Sequence, residues 1–513
     1  MTLTATAELR DAPPPIGRAR FWLIYIALAA GMFLSSLNHT VLSAAMPTIV
    51  GDLGGVQYQA WMTTAFLITA TITMPVYGRL GDSYGHRWLY LSAVAIFTIG
   101  SVGAGFAADF WSLVGWRAVQ GVGGGGLMVL SMAIIGAMVT ARERARFMAP
   151  LNVIFAVSSV LGPLVGGVIV DQLSWTWVFH MNVPVGIVCL LIGLFAIRLP
   201  APSERQRIDI AGMIALVVLT TSLLIFVEQI SAHGVVPPTP LAGLMLGLSV
   251  ASGIAFVLIE RRAAAPVIPL SLFRDRQFFL STAVGFILGF VLVAVLSFMP
   301  TVLQMGKGQS AAVAGLLITP MNGSWIIVSV IVGALVSRTG RYKMWIVVGA
   351  IISTVAILAL GLLRASTPVW MISLILLVLG IGMGMCFNLL IVVAQNAVRR
   401  GILGTATGAH NYVREVGAAI GVAVVGALFT MGLHGRLAEV YRDHGFSSAE
   451  ATELASAVSP ETLAAASGGM GDALAMAYLD ALTPTMLGLV PLLVVAVALC
   501  VAFRSEAFLT AED

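Results

Sequence analysis

Residues 78–88 read G-R-L-G-D-S-Y-G-H-R-W and lie between two long apolar runs of the chain. The stretch combines glycines, arginines and one carboxylate, which are Gly78, Gly81, Gly85, Arg79, Arg87 and Asp82. Glycine has no side chain to clash, so these glycines permit a tight reversal and close contact between helices. Asp82 can lie near the start of a helix, where backbone N–H groups favour a negative charge. The stretch therefore predicts a short turn whose charges pair with each other or with lipid headgroups.

The composition of the chain indicates that lipid surrounds most of it. Hydrophobic residues make up 59% of 513 residues, charged residues make up 10%, and the mean hydropathy is +0.99. An ordinary soluble domain has about 25% charged residues, and its core does not absorb so much apolar surface. Cys189, Cys386 and Cys500 lie inside apolar runs, which argues against a disulfide framework and against a metal site. We therefore expect an all-α membrane protein.

Fourteen apolar runs are long enough to cross a membrane, which takes about 20 residues per helix. They lie near 21–46, 58–78, 88–108, 111–138, 147–170, 178–197, 209–231, 239–259, 277–305, 311–336, 343–363, 368–397, 404–433 and 483–503. With the N-terminus inside, 21 of the 27 lysines and arginines fall on inner segments. Inner loops of membrane proteins carry this excess of positive charge. We predict fourteen spans with both termini in the cytoplasm.

The spans divide into groups of six, two and six. The predicted units are a tail at 1–20, a six-helix bundle at 21–197, a two-helix insert with basic linkers at 198–276, a second bundle at 277–505 and a tail at 506–513. The second bundle includes a long acidic outer loop at 434–482, which we expect to be a solvated, lid-like loop. Two helix-start signals lie in it, Ser447 with Glu450 and Ser459 with Glu461.

A weak internal repeat supports this division. The stretch Gly333–Lys343 reads G-A-L-V-S-R-T-G-R-Y-K, and its two glycines are seven residues apart, as are Gly78 and Gly85. The second copy lacks the carboxylate, because Ser337 stands where the first copy has Asp82. Repeated halves are typical of transporters with a central binding site.

The spacing of Gly78–Trp88 matches G-x-L-G/A-D-x-x-G-x-R/K, and it resembles the cytoplasmic loop signature of the major facilitator superfamily. The resemblance implies two six-helix bundles around a central cavity, with this loop latching an inner gate. The residues implied in the gate are Gly78, Arg79, Gly81, Asp82, Gly85 and Arg87.

Two further motifs carry the resemblance. In helix four, Arg117, Gln120 and Gly121 resemble the signature R-x-x-Q-G, which is tied to proton coupling in antiporters of this superfamily. The glycines that follow satisfy G-x-G-x-x-G without a preceding strand, so they predict close helix packing and not nucleotide binding. Helix five contains Gly162, Pro163, Gly166 and Gly167, which resemble the exporter signature G-P-x-x-G-G and imply a hinge, although packing alone would also explain them. With fourteen spans, the chain resembles the drug:proton antiporter subfamily.

Helix one departs from that subfamily, which usually has an aspartate where this chain has Asn38. At 1.5 Å per residue, Asn38 and Arg117 both lie in the outer half of their helices and can be neighbours. An amide cannot carry a proton. A relocated proton site, a transporter without the usual proton coupling, and a charge-neutralised variant each explain Asn38, and the sequence does not separate them. The adjacent His39 points about 100° away.

Other polar residues lie within the spans. Arg414 and Glu415 are either a structural ion pair or part of the proton pathway. Glu228 fits a residue at the membrane interface in contact with water, and His410 fits a buried polar residue that has a hydrogen-bond partner. Aromatic and amide side chains suit an amphipathic cavity for bulky cationic ligands. The candidate cavity residues are Tyr25, Trp61, Gln120, Asn152, Trp325, Phe387, Asn388 and Asn411.

We expect proton-coupled efflux of amphipathic, cationic drugs or lipophilic compounds by alternating access. The candidate coupling residues are Asn38, Arg117, Glu415, Arg414 and His39. The expected protein is a monomer in the inner (cytoplasmic) cell membrane, which uses the proton gradient, contacts lipids, and needs no cofactor, metal or nucleic acid. Export of a lipid or envelope precursor, and a receptor that transports nothing, are the alternatives. An enzyme is disfavoured because no catalytic constellation appears in a plausible context.

Overall fold

The protein is described here from a computed structural model, which covers residues 17–54, 58–199, 208–233, 239–456 and 469–504. Most of the predicted terminal tails, most of the linker before the insert, and the signal at Ser459 lie outside these residues. The side chains of His39, Asn152 and Pro163 also lie outside the described set.

Local sequence signals start several of the helices. Asp109 and Ser112 form a reciprocal capping box, and Thr140 does the same with Glu143. Asp275 accepts hydrogen bonds from two backbone N–H groups of the helix that follows it. Such caps satisfy N–H groups that have no partner within the helix. The apolar runs between these caps then remain helical, because in lipid every backbone polar group must find its partner inside the segment.

We number the long helices α1 to α14. They are α1 (Arg18–Leu53), α2 (Ala60–Tyr84), α3 (His86–Gly105), α4 (Phe110–Met138), α5 (Ala141–Gln172), α6 (Asn182–Ala196), α7 (Ile210–His233), α8 (Pro240–Arg262), α9 (Arg276–Thr301), α10 (Ala311–Thr339), α11 (Lys343–Leu360), α12 (Val369–Asn396), α13 (Leu403–Asp443) and α14 (Gly469–Val501). Shorter helical segments lie at Trp177–His180, Leu270–Arg274, Val302–Gly306, Arg400–Ile402 and Ser448–Ser456. The prediction of an all-α protein is confirmed, since the described residues contain no strand.

Thirteen helical segments in the described residues are long and apolar enough to cross a membrane. The predicted fifth span coincides with α5, a 32-residue helix that is not among the thirteen. The count of fourteen spans and the placement of both termini therefore stay predictions. Large apolar side chains such as Phe195, Leu244 and Trp370 are more than half exposed, as expected for helices that face lipid.

The helices form two bundles, and the corresponding helices of each bundle pack on one another in the same way. In the first bundle α2 packs on α4 and α1 on α5, and in the second α10 packs on α12 and α9 on α13. The bundles meet along two seams, α2 with α13 and α5 with α10. Each seam pairs the second helix of one bundle with the fifth helix of the other. This arrangement is what the weak repeat at Gly333–Lys343 would produce, since repeated halves meet through matching surfaces.

The insert, α7 and α8, packs mainly on the second bundle. Ala215 and Leu216 of α7 share an apolar cluster with Ala409 and Tyr412 of α13. Farther along α7, Ile230 contacts Ala423 and Ala427 of α13. The hydroxyl groups of Thr220 and Tyr412 lie 2.9 Å apart. α7 is therefore attached to α13 along its length, and it makes fewer contacts with α2 of the first bundle.

The predicted outer loop 434–482 is largely helical in the structure. α13 continues to Asp443, and its 41 residues span about 61 Å at 1.5 Å per residue, twice the roughly 30 Å of a bilayer core. α14 begins at Gly469 and not near 483. The signal at Ser447 is confirmed, because its backbone N–H donates to the Glu450 carboxylate and its hydroxyl oxygen accepts from the Glu450 backbone N–H. Hydrogen bonds from Ser447 lower the pKa of that carboxyl. The lid-like loop is thus mostly a helical cap, in which Leu437 and Tyr441 of α13 are buried.

Candidate functional site

The turn at Gly78–Trp88 binds the second bundle through Asp82. Its carboxylate accepts hydrogen bonds from the backbone N–H of Gly404 at 2.9 Å, from that of Thr405 at 2.6 Å, and from the Thr405 hydroxyl at 2.7 Å. Gly404 and Thr405 begin α13, so the carboxylate lies against free N–H groups at the positive end of a helix dipole. The Nε2 atom of His86 lies 3.2 Å from the same carboxylate. We call Asp82, Gly404 and Thr405 the latch.

Two glycines allow the latch helices to touch. A Cβ atom on Gly78 would lie 2.2 Å from the carbonyl oxygen of Gly404, and one on Gly404 would lie 2.5 Å from that of Gly78. Both obstacles are backbone atoms, so no side-chain movement could relieve them. Gly85 has φ +97°, a conformation that favours glycine, and it separates α2 from α3.

We expect Gly78→Ala to separate the two bundles at the latch, because backbone atoms cannot yield to the added methyl group. The measurement is the distance between nitroxide labels on the two bundles, at Arg198→Cys and Met344→Cys, which lie at the same end of the protein as the latch. The native cysteines, Cys189, Cys386 and Cys500, are buried and should resist labelling. Gly401→Ala is the control, since a Cβ atom there meets nothing within 4 Å. An unchanged distance in Gly78→Ala would contradict the prediction.

The predicted gate arginines have different partners. Arg79 lies within electrostatic reach of both Asp82 and Glu260 of α8. Arg87 donates to the carbonyl oxygen of Leu194 within its own bundle and lies 5.1 Å over the ring of Trp88. Gly81 packs against Leu130 of α4. Of the two arginines, therefore, only Arg79 faces the carboxylate of the latch.

The two bundles are also joined by residues that the sequence analysis counted only as inner positive charges. Arg144 is 3% exposed and donates to the carbonyl oxygen of Gln395 at 3.1 Å and to the side chain of Asn396 at 2.6 Å. Arg400 donates to the carbonyl oxygens of Ala137 and Val139 across the same interface. We call the end of the protein that carries these contacts and the latch the basic end.

One feature of the sequence distinguishes Arg144, as a buried residue, from its neighbouring arginines. Arg144 precedes Met148 by four residues and Leu151 by seven, so all three lie on one face of α5. Met148 and Leu151 are fully buried, whereas the nearby Arg146 is exposed. An arginine on the apolar face of a helix has to find carbonyl oxygens or acids there.

A buried polar cluster lies in the first bundle. Arg117 is fully buried, and its Nη1 donates to the Oδ1 of Asn38 and, at 2.6 Å, to the Oε1 of Gln120. Its Nε donates to the carbonyl oxygen of Met62 at 3.1 Å, and its guanidinium lies 4.5 Å over the ring of Phe66. The structure thus brings Asn38 and Arg117 together, as their depths in the helices indicated. We call Asn38, Arg117 and Gln120 the polar cluster.

The polar cluster has two donors without acceptors. The Nδ2 atom of Asn38 and the Nη2 atom of Arg117 are buried and have no hydrogen-bond partner among the described residues. A buried donor without a partner costs about 1–3 kcal/mol. A carboxylate at position 38 would replace the first donor with an acceptor, and that acceptor could serve the second. The geometry around Arg117 therefore fits an acid better than an amide.

A second charged site lies on α13. The Nη2 of Arg414 and the Oε1 of Glu415 are 2.7 Å apart, and the Glu415 side chain is 31% exposed. The guanidinium of Arg414 lies 5.8 Å over the ring of Phe387, whose centroid is 5.1 Å from that of Trp325. We call these four residues the acid–aromatic site. It contains two of the predicted cavity residues, Trp325 and Phe387.

The position of Glu415 on α13 follows from the residues one and two turns before it. Asn411 donates weakly to the sulfur of Met132 at 3.7 Å, and a Cβ atom on Gly408 would lie 2.6 Å from the carbonyl oxygen of Met74. Both contacts are with the first bundle. Because residues four and seven apart share a helix face, Glu415 lies on the face of α13 that is turned toward the first bundle. It is about 18 Å from the start of the helix, near the middle of a bilayer core.

Several other predicted cavity residues make closed contacts in this structure. Asn388 is 1% exposed and donates to the carbonyl oxygen of Ala145 at 2.9 Å, so it closes the bundle interface. Asn411 is fully buried, and the hydroxyl of Tyr25 donates to the carbonyl oxygen of Phe147. Gln120 belongs to the polar cluster, and Trp61 packs partly buried at the end opposite the basic end. The side chain of Asn152 lies outside the described residues.

The glycines of the predicted hinge differ in their surroundings. A Cβ atom on Gly162 would lie 2.1 Å from the Oγ1 of Thr40, which donates to the carbonyl oxygen of Ser158 at 2.8 Å. α1 and α5 are therefore in close contact at this point. Gly166 is buried, and a Cβ atom on Gly167 would meet nothing within 4 Å. Close packing at Gly162 fits either a hinge or a packing role, and the hinge stays a prediction.

Known proteins resemble the chain over most of its length. A sequence profile of the Major Facilitator Superfamily matches residues 28–422. An uncharacterized MFS-type transporter of Mycobacterium tuberculosis is 34% identical over 98% of this chain and 72% of its own length. The multidrug transporter protein MdtP of Bacillus subtilis is 33% identical over 79% of this chain and 75% of its own.

A solved structure agrees in fold. The crystal structure of the human organic anion transporter MFSD10 covers 93% of this chain and 99% of its own, with a TM-score of 0.62 and 16% identity. Identity this low supports the fold alone. The profile match and the identity to transporters also support the family, because both extend over most of the sequence. The chain belongs to the major facilitator superfamily and is a multi-pass membrane transporter, not an enzyme.

Proposed function

We propose that the protein exports amphipathic, cationic compounds from the cytoplasm across the inner membrane, in exchange for protons. The observation that carries this proposal is Glu415, a partly exposed acid at mid-membrane depth that faces the first bundle beside two aromatic rings. A carboxylate attracts a cation, and aromatic faces add cation–π attraction. Relatives named as multidrug transporters support the substrate class.

Competition between the compound and a proton for Glu415 would couple export of the compound to inward movement of protons. An ionised Glu415 binds either Arg414, a cationic compound or a proton, and protonation removes the charge that holds the compound. A protonated Glu415 would therefore release its cargo, and loss of the proton on the other side of the membrane would restore the site. Asn38 has no part in this cycle, because its amide does not titrate.

The contacts at the basic end fit a carrier that is closed toward the cytoplasm. The hydrogen bonds described between the bundles lie in the half of the protein that contains the latch and Arg144. Alternating access needs one end closed while the other admits ligand. We infer that the latch is the cytoplasmic gate and that the acid–aromatic site then faces outward.

Drug-driven proton movement in reconstituted vesicles tests the proposal. We expect a lipophilic quaternary ammonium compound to release protons from this protein, and Glu415→Gln to abolish that release. Affinity for the compound should fall about tenfold, the change produced by a loss of roughly 1.4 kcal/mol of attraction. Glu439→Gln is the matched control, because this acid is exposed on the same helix beyond the predicted span.

Other outcomes would contradict parts of the proposal. Proton release that persists in Glu415→Gln would exclude Glu415 as the proton carrier. Equal transport of an uncharged compound of matched size would contradict the preference for cations. Transport of a labelled phospholipid in place of the quaternary ammonium compound would favour the lipid-exporter alternative.

A further inference from the structure

Two carboxylates face each other where the insert meets α2 at the basic end. Asp209 precedes α7, and its Oδ1 accepts a hydrogen bond from the backbone N–H of Gly212 at 2.8 Å. Glu260 lies near the end of α8 and is 4% exposed, and its Oε1 accepts from the backbone N–H of Val267 at 3.1 Å. A Cβ atom on Gly212 would lie 2.5 Å from the Oδ2 of Asp209 and 2.9 Å from the Oε1 of Glu260.

Each carboxylate has one oxygen atom without a donor. The Oδ2 of Asp209 and the Oε2 of Glu260 are buried and have no hydrogen-bond partner among the described residues. Glu260 is buried and Asp209 is half-buried beside it, so both burial and the neighbouring negative charge disfavour the ionised form of Glu260. A divalent cation is a poor alternative, because Arg79 lies beside the pair and because Ca²⁺ takes about six to eight oxygen ligands.

Asp209 borders a crevice between the insert and the helix that carries the latch, and Glu260 lies behind it, bonded to Val267 of the lining. Val76, Arg79, Leu80 and Ser83 of α2 line one side, and Asp209, Met213 and Val267 lie on the other. The crevice measures about 10 Å³, close to the minimum space for one water molecule. The charged groups around the pair are Arg79 and, behind it, Asp82 with His86, while Arg261 and Arg262 are exposed next to Glu260.

Movement between the bundles would open this crevice. The insert is attached to α13 of the second bundle through Thr220 and Tyr412, whereas Arg79 belongs to the first bundle. When the latch opens, α2 therefore moves away from Asp209 and Glu260 and water reaches them. Water favours loss of the proton, and although the departing Arg79 acts the other way, burial is the larger influence on Glu260.

We propose that Glu260, next to the carboxylate of Asp209, is a proton-binding site, which is loaded while the basic end is closed and is emptied into the cytoplasm when α2 leaves the insert. The inference rests on the alternating access of the proposed function, but it does not depend on Glu415. Because the closed form binds the extra proton, acid favours closure and rising pH favours opening. The pair thus links cytoplasmic pH to the state of the gate.

Distances between nitroxide labels at Arg198→Cys and Met344→Cys test the pair without any drug. We expect the distance in the parent protein to lengthen as the pH rises from weakly acidic to weakly alkaline. Glu260→Gln should lose this dependence and stay closed, since its amide is neutral at every pH. Asp209→Asn keeps the cap on Gly212, because asparagine also caps helices. It should shift or abolish the pH dependence of the distance, and it provides a test even if Glu260→Gln does not fold.

Glu228→Gln is the matched control, because Glu228 lies near the other end of the same insert, where its Oε2 accepts a hydrogen bond from Thr64 of α2 at 3.4 Å. It should keep the pH dependence of the parent. The same pH dependence in Glu260→Gln and Asp209→Asn as in the parent would overturn the inference. If this dependence is lost in both variants while no compound releases protons, the pair stands and the proposed proton antiport fails.

Discussion

Asn38→Asp is expected to stabilise the protein by about 3 kcal/mol, the lower end of what a buried charge loses when its partner is removed. In this chain Arg117 is fully buried among neutral acceptors. A carboxylate at position 38 would neutralise it and give its free Nη2 an acceptor. Thermal unfolding in detergent, followed by intrinsic fluorescence or by solubility, measures the change.

A double-mutant cycle separates this effect from a general benefit of acids. In an Arg117→Met background the same Asn38→Asp change should destabilise the protein, because it then buries a carboxylate without a cation. The interaction free energy of the cycle should therefore be large and favourable. A stabilisation of equal size in both backgrounds would show that Arg117 is not the partner. Strong coupling would favour the view that Asn38 occupies the place of an acid, as in a charge-neutralised protein.

Asp82→Ala is expected to open the basic end and to abolish transport. The substitution removes three hydrogen bonds to a charged acceptor, each worth about 1.5–3 kcal/mol. Reversing a two-state population from 1:99 to 99:1 takes roughly 5.5 kcal/mol, so the loss is large enough to shift most molecules. The label pair at Arg198→Cys and Met344→Cys should report the longer distance, and vesicle uptake of the quaternary ammonium compound should stop.

Ser337→Ala is the control for Asp82→Ala. Ser337 holds the matching place in the second copy of the turn, Gly333–Lys343, but carries no charge. We expect closure and transport close to those of the parent. A loss as large as that of Asp82→Ala would mean that the two turns are equivalent and that the carboxylate is not the decisive group.

The helices and the turn at Gly78–Trp88 could be predicted because their signals are local. Apolar length, caps and glycine spacing act within a few residues of one another. The helix start at Ser447 was predicted, but the continuation of α13 to Asp443 and the packing of the cap were missed because polar residues that follow a span look like a loop. The spacing of Leu437, Val440 and Tyr441 was a helical signal that hydropathy alone does not weigh.

Contacts between the bundles could not be predicted from the sequence. The partners of Arg144 lie about 250 residues away on α12, and nothing local identifies them. The same holds for Asp82, whose position near a helix start was predicted without identifying α13 as that helix. Asn388 and Asn411 were assigned to a cavity because amides within spans need polar surroundings, and the interface between bundles supplies these equally well.

The length of α13 makes it a rigid lever. One helix without proline carries Gly404 of the latch, then Glu415, and finally Leu437 and Tyr441 in the cap at the proposed outer face. Any tilt of this helix when the latch opens is carried about 50 Å to the cap, at 1.5 Å per residue. A binding protein or fluorophore attached to the cap of intact cells should therefore report the state of the proposed cytoplasmic gate from outside the membrane.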